Sequence, residues 1–503
     1  MHGYILVAIL FLTTVSMGAR TLHVGASHPY ANPAAAVLDA APGDTILIHE
    51  GTYNSTYFIE ELQGNAQAWI VIRAADGEAP VFSGATESMH FSDCAYLRIE
   101  GLIIQGQTGN GMNIDDAGTI ETPSHHIILS NMTFRDMAAT GNNDLLKLSG
   151  LDTFAILNCT FLNGATGGSG IDMVGCHAGV IERNTFTNMG SNAIQAKGGT
   201  AFIRILRNVF TDAGERAVNL GGSTGLQFFR PLDAPYEAAD MQVFSNIFVR
   251  GTAAIAYVGS TRIDVANNTI INPVRWVMRI LQETVDATRF VKCGNNLFRN
   301  NIVLTNGLAG PHVNIGSNTA PETFGFQTNL WYDQSNPANS TPTLPTTELG
   351  GIRGQDPRLV NTTSAPLDLH VMVGSPAIGA GSVLTVVDSD YDYRPYRTPP
   401  TIGAFEYVSP VSVANASPDR GITIAPNPAS DVIRITGSVG ITRITDLLGN
   451  EMAPSGFNNS TYSSADGGAG SSTDTRVVHI GHWPSGIYLV NDGKSSALLV
   501  VSR

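Results

Sequence analysis

Along most of this chain, apolar and polar positions alternate in bursts of three to six residues. No stretch shows the twelve-residue, 3.6-period pattern that an amphipathic helix needs. One unit reads Val180-Ile-Glu-Arg183 as a strand, Asn184 as a corner and Thr185-Phe186 as the start of a second strand. A loop follows, then a third strand, Ala193-Ile-Gln-Ala-Lys197, ending on Gly198-Gly199. The corner phrase recurs as Asn131-Met-Thr-Phe134, Asn158-Cys-Thr-Phe161, Asn184-Thr-Phe186, Asn208-Val-Phe210, Asn246-Ile-Phe248, Asn268-Thr-Ile270 and Asn301-Ile-Val303, at intervals of 22 to 38 residues. Repetition at this period predicts a solenoid, in which each repeat buries its apolar face only by stacking on its neighbours.

Stacked coils lie about 4.8 Å apart, so an asparagine at the same corner of every coil is expected to hydrogen-bond to its copies above and below. The seven corner asparagines are therefore read as structural. With three strands per coil, the repeat resembles the right-handed parallel β-helix of pectate-lyase-like proteins, which implies an all-β chain. A helical-looking segment, Asn32 to Ala40, precedes the first strands and is expected to cap the open end. Pro42-Gly-Asp-Thr-Ile46 followed by Gly51-Thr-Tyr53 resembles the entry of secreted β-helix proteins, including alginate-lyase-like and chondroitinase-B-like polysaccharide lyases.

The solenoid with its cap is read as residues 20–408. Gln355 to Val360, Gly374 to Gly381 and Ile402 to Tyr407 resemble a closing segment of bacterial β-helices. A linker, 409–420, leads to a C-terminal module, 421–503. Its phrases Ile422 to Ile435, Ile444-Thr-Asp-Leu-Leu-Gly449 and Trp483-Pro-Ser-Gly-Ile-Tyr-Leu-Val490 alternate like a small β-sandwich. They resemble the C-terminal sorting domain of the type IX secretion system. That resemblance implies recognition by the type IX machinery at an outer membrane, in a bacterium of the Bacteroidetes kind. Residues 1–19, with an apolar run from Tyr4 to Leu12 and small residues at Ser16, Gly18 and Ala19, read as a secretory signal peptide. No other stretch is apolar enough to span a bilayer, so no transmembrane segment is expected after its removal.

A net charge of −14 argues against nucleic acid as a partner. The balance reverses locally, with twelve Lys/Arg against eight Asp/Glu between Ala193 and Arg299. The four cysteines, Cys94, Cys159, Cys176 and Cys293, lack metal-site spacing and read as buried free thiols.

Aligning the third strands on their terminal glycine sends Leu146, Ile171, Ile194, Val218 and Ile255 inward, and sets Lys147, Asp172, Gln195 and Asn219 in one outward column. Ser149 and Lys197 belong to the next column. Two long insertions, Gly225 to Asp240 and Pro273 to Asn295, carry aromatic and arginine residues. They are expected to bring Arg230, Arg275 and Arg279 towards Lys197 and Arg216. Such a face suits a polysaccharide. Basic groups beside a uronate offset its carboxylate, and one can remove the adjacent C–H proton in β-elimination. The stretch from Ala193 to Asn219 looks like the catalytic coil pair of chondroitinase-B-like lyases, with Lys197 as the implied base and Arg216 as the implied stabiliser. Where that family has an Arg-His-Gly phrase, this chain has Asn219-Leu-Gly-Gly222. The resemblance also implies Ca2+, for which Asp172 and Glu215 would offer oxygens, although no calcium-loop spacing is present. Two other readings are open: a non-catalytic carbohydrate-binding or adhesin-like surface protein, and a glycoside hydrolase using Asp172 with Asp144 or Glu215.

Overall fold

The structure, a computed structural model, describes residues 18–387 and 389–409, together with six strands and a few single residues between 423 and 501. All but the last two residues of the expected signal peptide, almost all of the linker and residues 453–473 of the C-terminal module fall outside the described residues. Among the described residues no helix is long and apolar enough to cross a membrane.

The coils stack as a parallel β-helix with three sheets of fourteen, twelve and ten strands, called here sheets I, II and III in the order in which each coil visits them. One coil runs from Leu151–Leu157 in sheet I to Thr160–Leu162 in sheet II and Ser169–Val174 in sheet III. The only α-helix among the described residues, Pro33–Val37, starts at Asn32, whose side chain accepts from the Ala35 amide. Its Ala36 is buried in the main core, so it covers the first coil.

Sheet II shows how the repeat is built. Phe134, Phe161, Phe186, Phe210 and Phe248 hold one inward position, with ring centroids 4.7 to 5.0 Å apart. Two residues before that position lies the asparagine ladder. Asn184 Nδ2 donates to Asn208 Oδ1 (3.0 Å), and the pattern repeats through Asn246, Asn268, Asn301 and Asn329. The chain of bonds ends on Glu348, which accepts from Asn329 Nδ2 (2.9 Å) and pairs with Arg353 (2.9 Å).

Asn131 and Asn158 are not in the ladder. Met132 and Cys159 occupy its position there, and the two asparagines sit one residue earlier, exposed, with φ of 54° and 52°. They belong to a separate corner column that also holds Arg183, Arg207, Ser245, Asn267, Asn300 and Thr328, all with positive φ. Asparagine serves both columns, because it tolerates the left-handed region and also satisfies buried amides.

The closing segment also departs from expectation. Leu359, Leu369, Val371, Ile402 and Phe405 pack along the outside of sheet II, against Ile247, Val249, Ile271, Ile302 and Leu304, and so cover a side of the solenoid. Sheet II strands here are apolar on both faces, as strands covered on both sides must be. The four cysteines are buried and unbridged. At the C-terminus, Thr423–Ala425, Val432–Gly437 and Asp474–His479 form one antiparallel sheet, and Arg443–Asp446, Gly486–Asn491 and Ser496–Val501 another. They enclose a small core with Ile433, Ile444, Trp483 and Leu499.

Candidate functional site

Period-two alternation fixes which side chains leave sheet III, and strand register aligns them. Leu146, Ile171, Ile194, Val218 and Ile255 pair in register and are fully buried. On the outer face Lys147, Asp172, Gln195 and Asn219 follow one another directly, as their spacing requires. The column is longer than the sequence suggests. It runs back through Asn113 and His90 to Phe58, and on through Ala256 to Arg279 and Asn314.

At its centre, Lys147 and Lys197 share one oxygen. Asp172 is buried, and its Oδ2 binds Lys147 Nζ and lies 3.3 Å from Lys197 Nζ. The other oxygen, Oδ1, is buried without a hydrogen-bond partner. Asp144 lies 3.9 Å from Lys147 and accepts from the Ser169 amide (2.7 Å). Burial first, and then the charge of Asp172, push the Asp144 carboxyl up to about 6. Burial would lower the Lys147 ammonium, but Asp172 and Asp144 outweigh it and the net shift is upward.

The first insertion roofs this lysine pair. Residues 223–230 close a cavity of about 520 Å³ over Lys147, Ser149, Gly150 and Lys197, with Phe228 and Arg230 on its far wall. Arg230 itself is held at the rim by Asp152 (2.6 Å) and the Gly175 carbonyl, with His177 alongside. Burial raises the Asp152 carboxyl, yet the hydrogen bonds from Arg230 and His177 bring it down to about 2. Glu237, fully buried, pins the roof. It accepts from the Gly198 amide (2.8 Å) next to Lys197, from Thr224 at the roof's start and from Thr284 in the following loop.

The second insertion is shorter than expected. Trp276–Leu281 is a regular sheet III strand, and only the stretch from Gln282 to Gly294 leaves the coil. That loop packs on the first, with Phe290 against Phe229 and Arg289 over both rings. Arg275 directly precedes the Trp276 strand and Arg279 lies within it, and their guanidinium carbons lie 4.2 and 4.4 Å from the Trp276 ring centroid. Neither arginine has an ion-pair partner among the described residues. Burial and the charge of Arg216 push Arg279 below its ordinary value.

Arg216 and Lys197 start from opposite ends of neighbouring strands, but their heads turn towards the same column. Arg216 donates to Asn219 (3.3 Å) and pairs with Glu283 (2.6 Å), whereas Lys197 reaches Asp172. Asp172 and Asn219 are two coils apart, about 10 Å. The cations thus form two groups on one face, Lys147 with Lys197 under the roof and Arg216, Arg275 and Arg279 beyond it.

Calcium does not fit here. Asp172 already serves two ammonium groups, and Glu215 is exposed on a loop where its charge acts on Arg279. Three contributors escaped the sequence reading. His90, raised to about 10 by hydrogen bonds to Asp115 and Glu87, adds a cation to the column, and its strand Met89-His-Phe-Ser92 does show the alternation. Trp276 lay hidden in a presumed loop. Glu237 gave no local signal, since its partners come from three distant segments.

Residues 81–229 match the family described as a right handed beta helix region. This is a right-handed parallel β-helix with a small β domain behind it. No curated protein matches the chain. Among solved structures, the chain is similar to the pectate lyase Pel9A, with 13% identity and a TM-score of 0.50, over 78% of this chain and 97% of that one. It is also similar to XylC in complex with xylose, at 13% identity and a TM-score of 0.48, over 77% and 98% of the two chains. An alginate lyase from Paenibacillus sp. str. FPU-7 follows at 18% identity and 0.40, over 60% and 99%.

Proposed function

We propose that the protein acts on a uronate-containing polysaccharide bound along the outer face of sheet III, and cleaves it by β-elimination. The observation that carries this reading is the pair Arg275 and Arg279 flanking Trp276, cations without carboxylate partners beside an aromatic ring. Guanidinium groups bind carboxylates through a planar fork of donors. From there the polar column leads through Asn219 and Gln195 to the roofed lysine pair. The same fold carries the pectate lyase Pel9A.

In the proposed reaction the uronate carboxylate sits against cationic groups, which stabilise the charge that develops beside it. Lys197 Nζ, as the free amine after giving up one proton to solvent, takes the proton from the carbon next to the carboxylate. The released electron pair forms the ring double bond, and the glycosidic C–O bond on the neighbouring carbon breaks, its oxygen leaving with a proton taken from solvent. Of the two lysines on Asp172, Lys147 is the closer, so Lys197 is the one assigned to move. Arg216, anchored at Asn219, would hold the next sugar carboxylate. Hydrolysis fits less well, because both Asp144 and Asp172 are buried beneath lysine side chains. Export through the signal peptide at residues 1–19 and handling of the tail by type IX machinery at the cell surface belong to the same proposal, on the strength of the terminal phrases.

The test is incubation of purified protein with alginate, pectate and glycosaminoglycans, following the ultraviolet absorbance of unsaturated ends. Absorbance with one polymer that disappears in Lys197→Ala is the expected result. Polymer retention in affinity gels without any absorbance would instead make the face a binding strip. No retention and no absorbance with any polyuronate would overturn the reading.

A further inference from the structure

Far from this groove, in the first coil, three imidazoles come together. His23 lies in the strand Thr21–Val24, His28 in the turn after it, and His49 directly follows the strand Thr45–Ile48 that pairs with the first. One ring nitrogen from each lies within 4.8 Å of the others. His23 Nδ1 is 2.9 Å from His49 Nε2, and the His28 and His49 rings stack with centroids 3.8 Å apart.

Two further features make this an arranged cluster. His49 Nδ1 lies 3.1 Å from Glu78 Oε1, and Glu78 is itself fixed by the Glu50 amide (2.5 Å). A carboxylate behind an imidazole sets its tautomer and leaves Nε2 as a lone-pair donor facing the other two rings. Gly25 lies where any side chain would collide, since a Cβ there would stand 2.9 Å from the His28 ring and 3.3 Å from His49 Cβ. The backbone is closed tightly around it, with Gly25 donating to the Tyr30 carbonyl and His28 to the Gly25 carbonyl.

We infer that His23, His28 and His49 form a binding site for a divalent transition-metal ion of the zinc class, with Glu78 orienting His49. Imidazole donors favour this class over calcium or magnesium, which take oxygen ligands. Three histidines leave a fourth tetrahedral position, and the half-buried rings leave it open to solvent. The rings are nearly parallel, so the His28 ring must turn for its nitrogen to converge with the others. It sits on a turn whose neighbours Ala26, Ser27 and Pro29 are exposed. A bound ion would join the first strand, its turn and the second coil, and so lock the N-terminal end of the solenoid. The site is independent of the groove and of its chemistry. Its sequence trace is His23, His28 and His49, with His49 one coil after the pair.

Untagged protein stripped with chelator is titrated with Zn2+ by calorimetry and with Co2+ by visible absorption. Wild type is expected to bind one ion per chain and to gain thermal stability with Zn2+. His28→Gln and His49→Gln should each weaken binding by more than tenfold, and Glu78→Gln by about tenfold or more. His126→Gln, which alters the neighbouring pair His125 and His126, should leave it unchanged. The cysteines are buried and do not compete. Far-ultraviolet circular dichroism checks folding, and His28→Gln, on the exposed turn, decides the matter if His49→Gln fails to fold. Absence of Zn2+ binding in wild type, or full-strength binding in folded His28→Gln, overturns the proposal.

Discussion

Two polar columns run up this solenoid, and they differ in whether their hydrogen bonds close. In the ladder from Asn184 to Asn329 each amide donates to the next and to a backbone carbonyl of the coil before, and the last is received by Glu348. In the column from Lys147 to Arg279 the partners are cross-coil charges. One buried carboxylate oxygen of Asp172 has no partner, and two arginines meet an aromatic ring in place of an anion. A repeated polar residue is therefore not in itself a sign of function. The distinction lies in what remains unsatisfied, since buried amides in a closed ladder have nothing left to offer a ligand.

Substitutions in the two columns should separate cleanly. The largest effect is expected for Lys197→Ala, which should lower elimination by about 10²- to 10⁴-fold, the usual worth of a positioned base. The unfolding midpoint should change little, because Lys147 still pairs with Asp172. An equal loss of folded protein would remove the contrast. Next is Asn246→Ala. It removes an acceptor for the Asn208 amide and side chain, and a donor to Asn268 and Ile205. At about 1–3 kcal/mol for each group left buried and unpaired, a loss of about 3 kcal/mol or more is expected in denaturant unfolding. Activity per folded molecule should be unchanged.

The pH dependence sharpens the comparison further. Asp152 titrates at about 2 in the folded chain, against about 3.9 when unfolded. Its pairing with Arg230 thus stabilises fully above pH 4 and is lost as pH falls towards 2, a contribution of about 2 kcal/mol. Asp144 has the opposite sign. Its folded value of about 6 lies above the unfolded one, so its contribution is present below about pH 4 and is lost as pH rises through 6. Asp152→Asn should flatten the acid limb of a stability profile, and Asp144→Asn the limb between pH 4 and 6. The smallest effect is expected for Gln195→Ala, whose half-buried side chain accepts from Asn192 (3.0 Å). Its stability should fall by less than about 1 kcal/mol, while polymer binding, read in affinity gels, weakens severalfold.

Much of this was legible in the chain, because alternation and register are local properties. The strand Ala193 to Lys197 announces which residues face out, and coil stacking then aligns Lys147, Asp172, Gln195 and Asn219 without further information. Errors came where one letter serves two positions. Asn131 and Asn158 look like ladder members, but Met132 and Cys159 make their phrases one residue longer than Asn184-Thr-Phe186 and shift the two asparagines into the corner column. Others came where a strand has loop-like flanks: Trp276–Leu281 follows Pro273 and precedes Glu283-Thr-Val-Asp286, so its place in sheet III was hidden.

By itself the amino-acid sequence determined the repeat, the inward apolar positions and the outward column, since each depends only on period and strand spacing. The tertiary structure decided which cations meet. That outcome depends on where loops of irregular length return, such as residues 223–230 over Lys197 and Gln282 to Gly294 against Phe229. It also decided that His23, His28 and His49 share one corner, because a turn and two strands must stack before three distant imidazoles can touch. Side chains repeated every coil are placed by translation alone, whereas those that occur once are placed by the particular path of the chain.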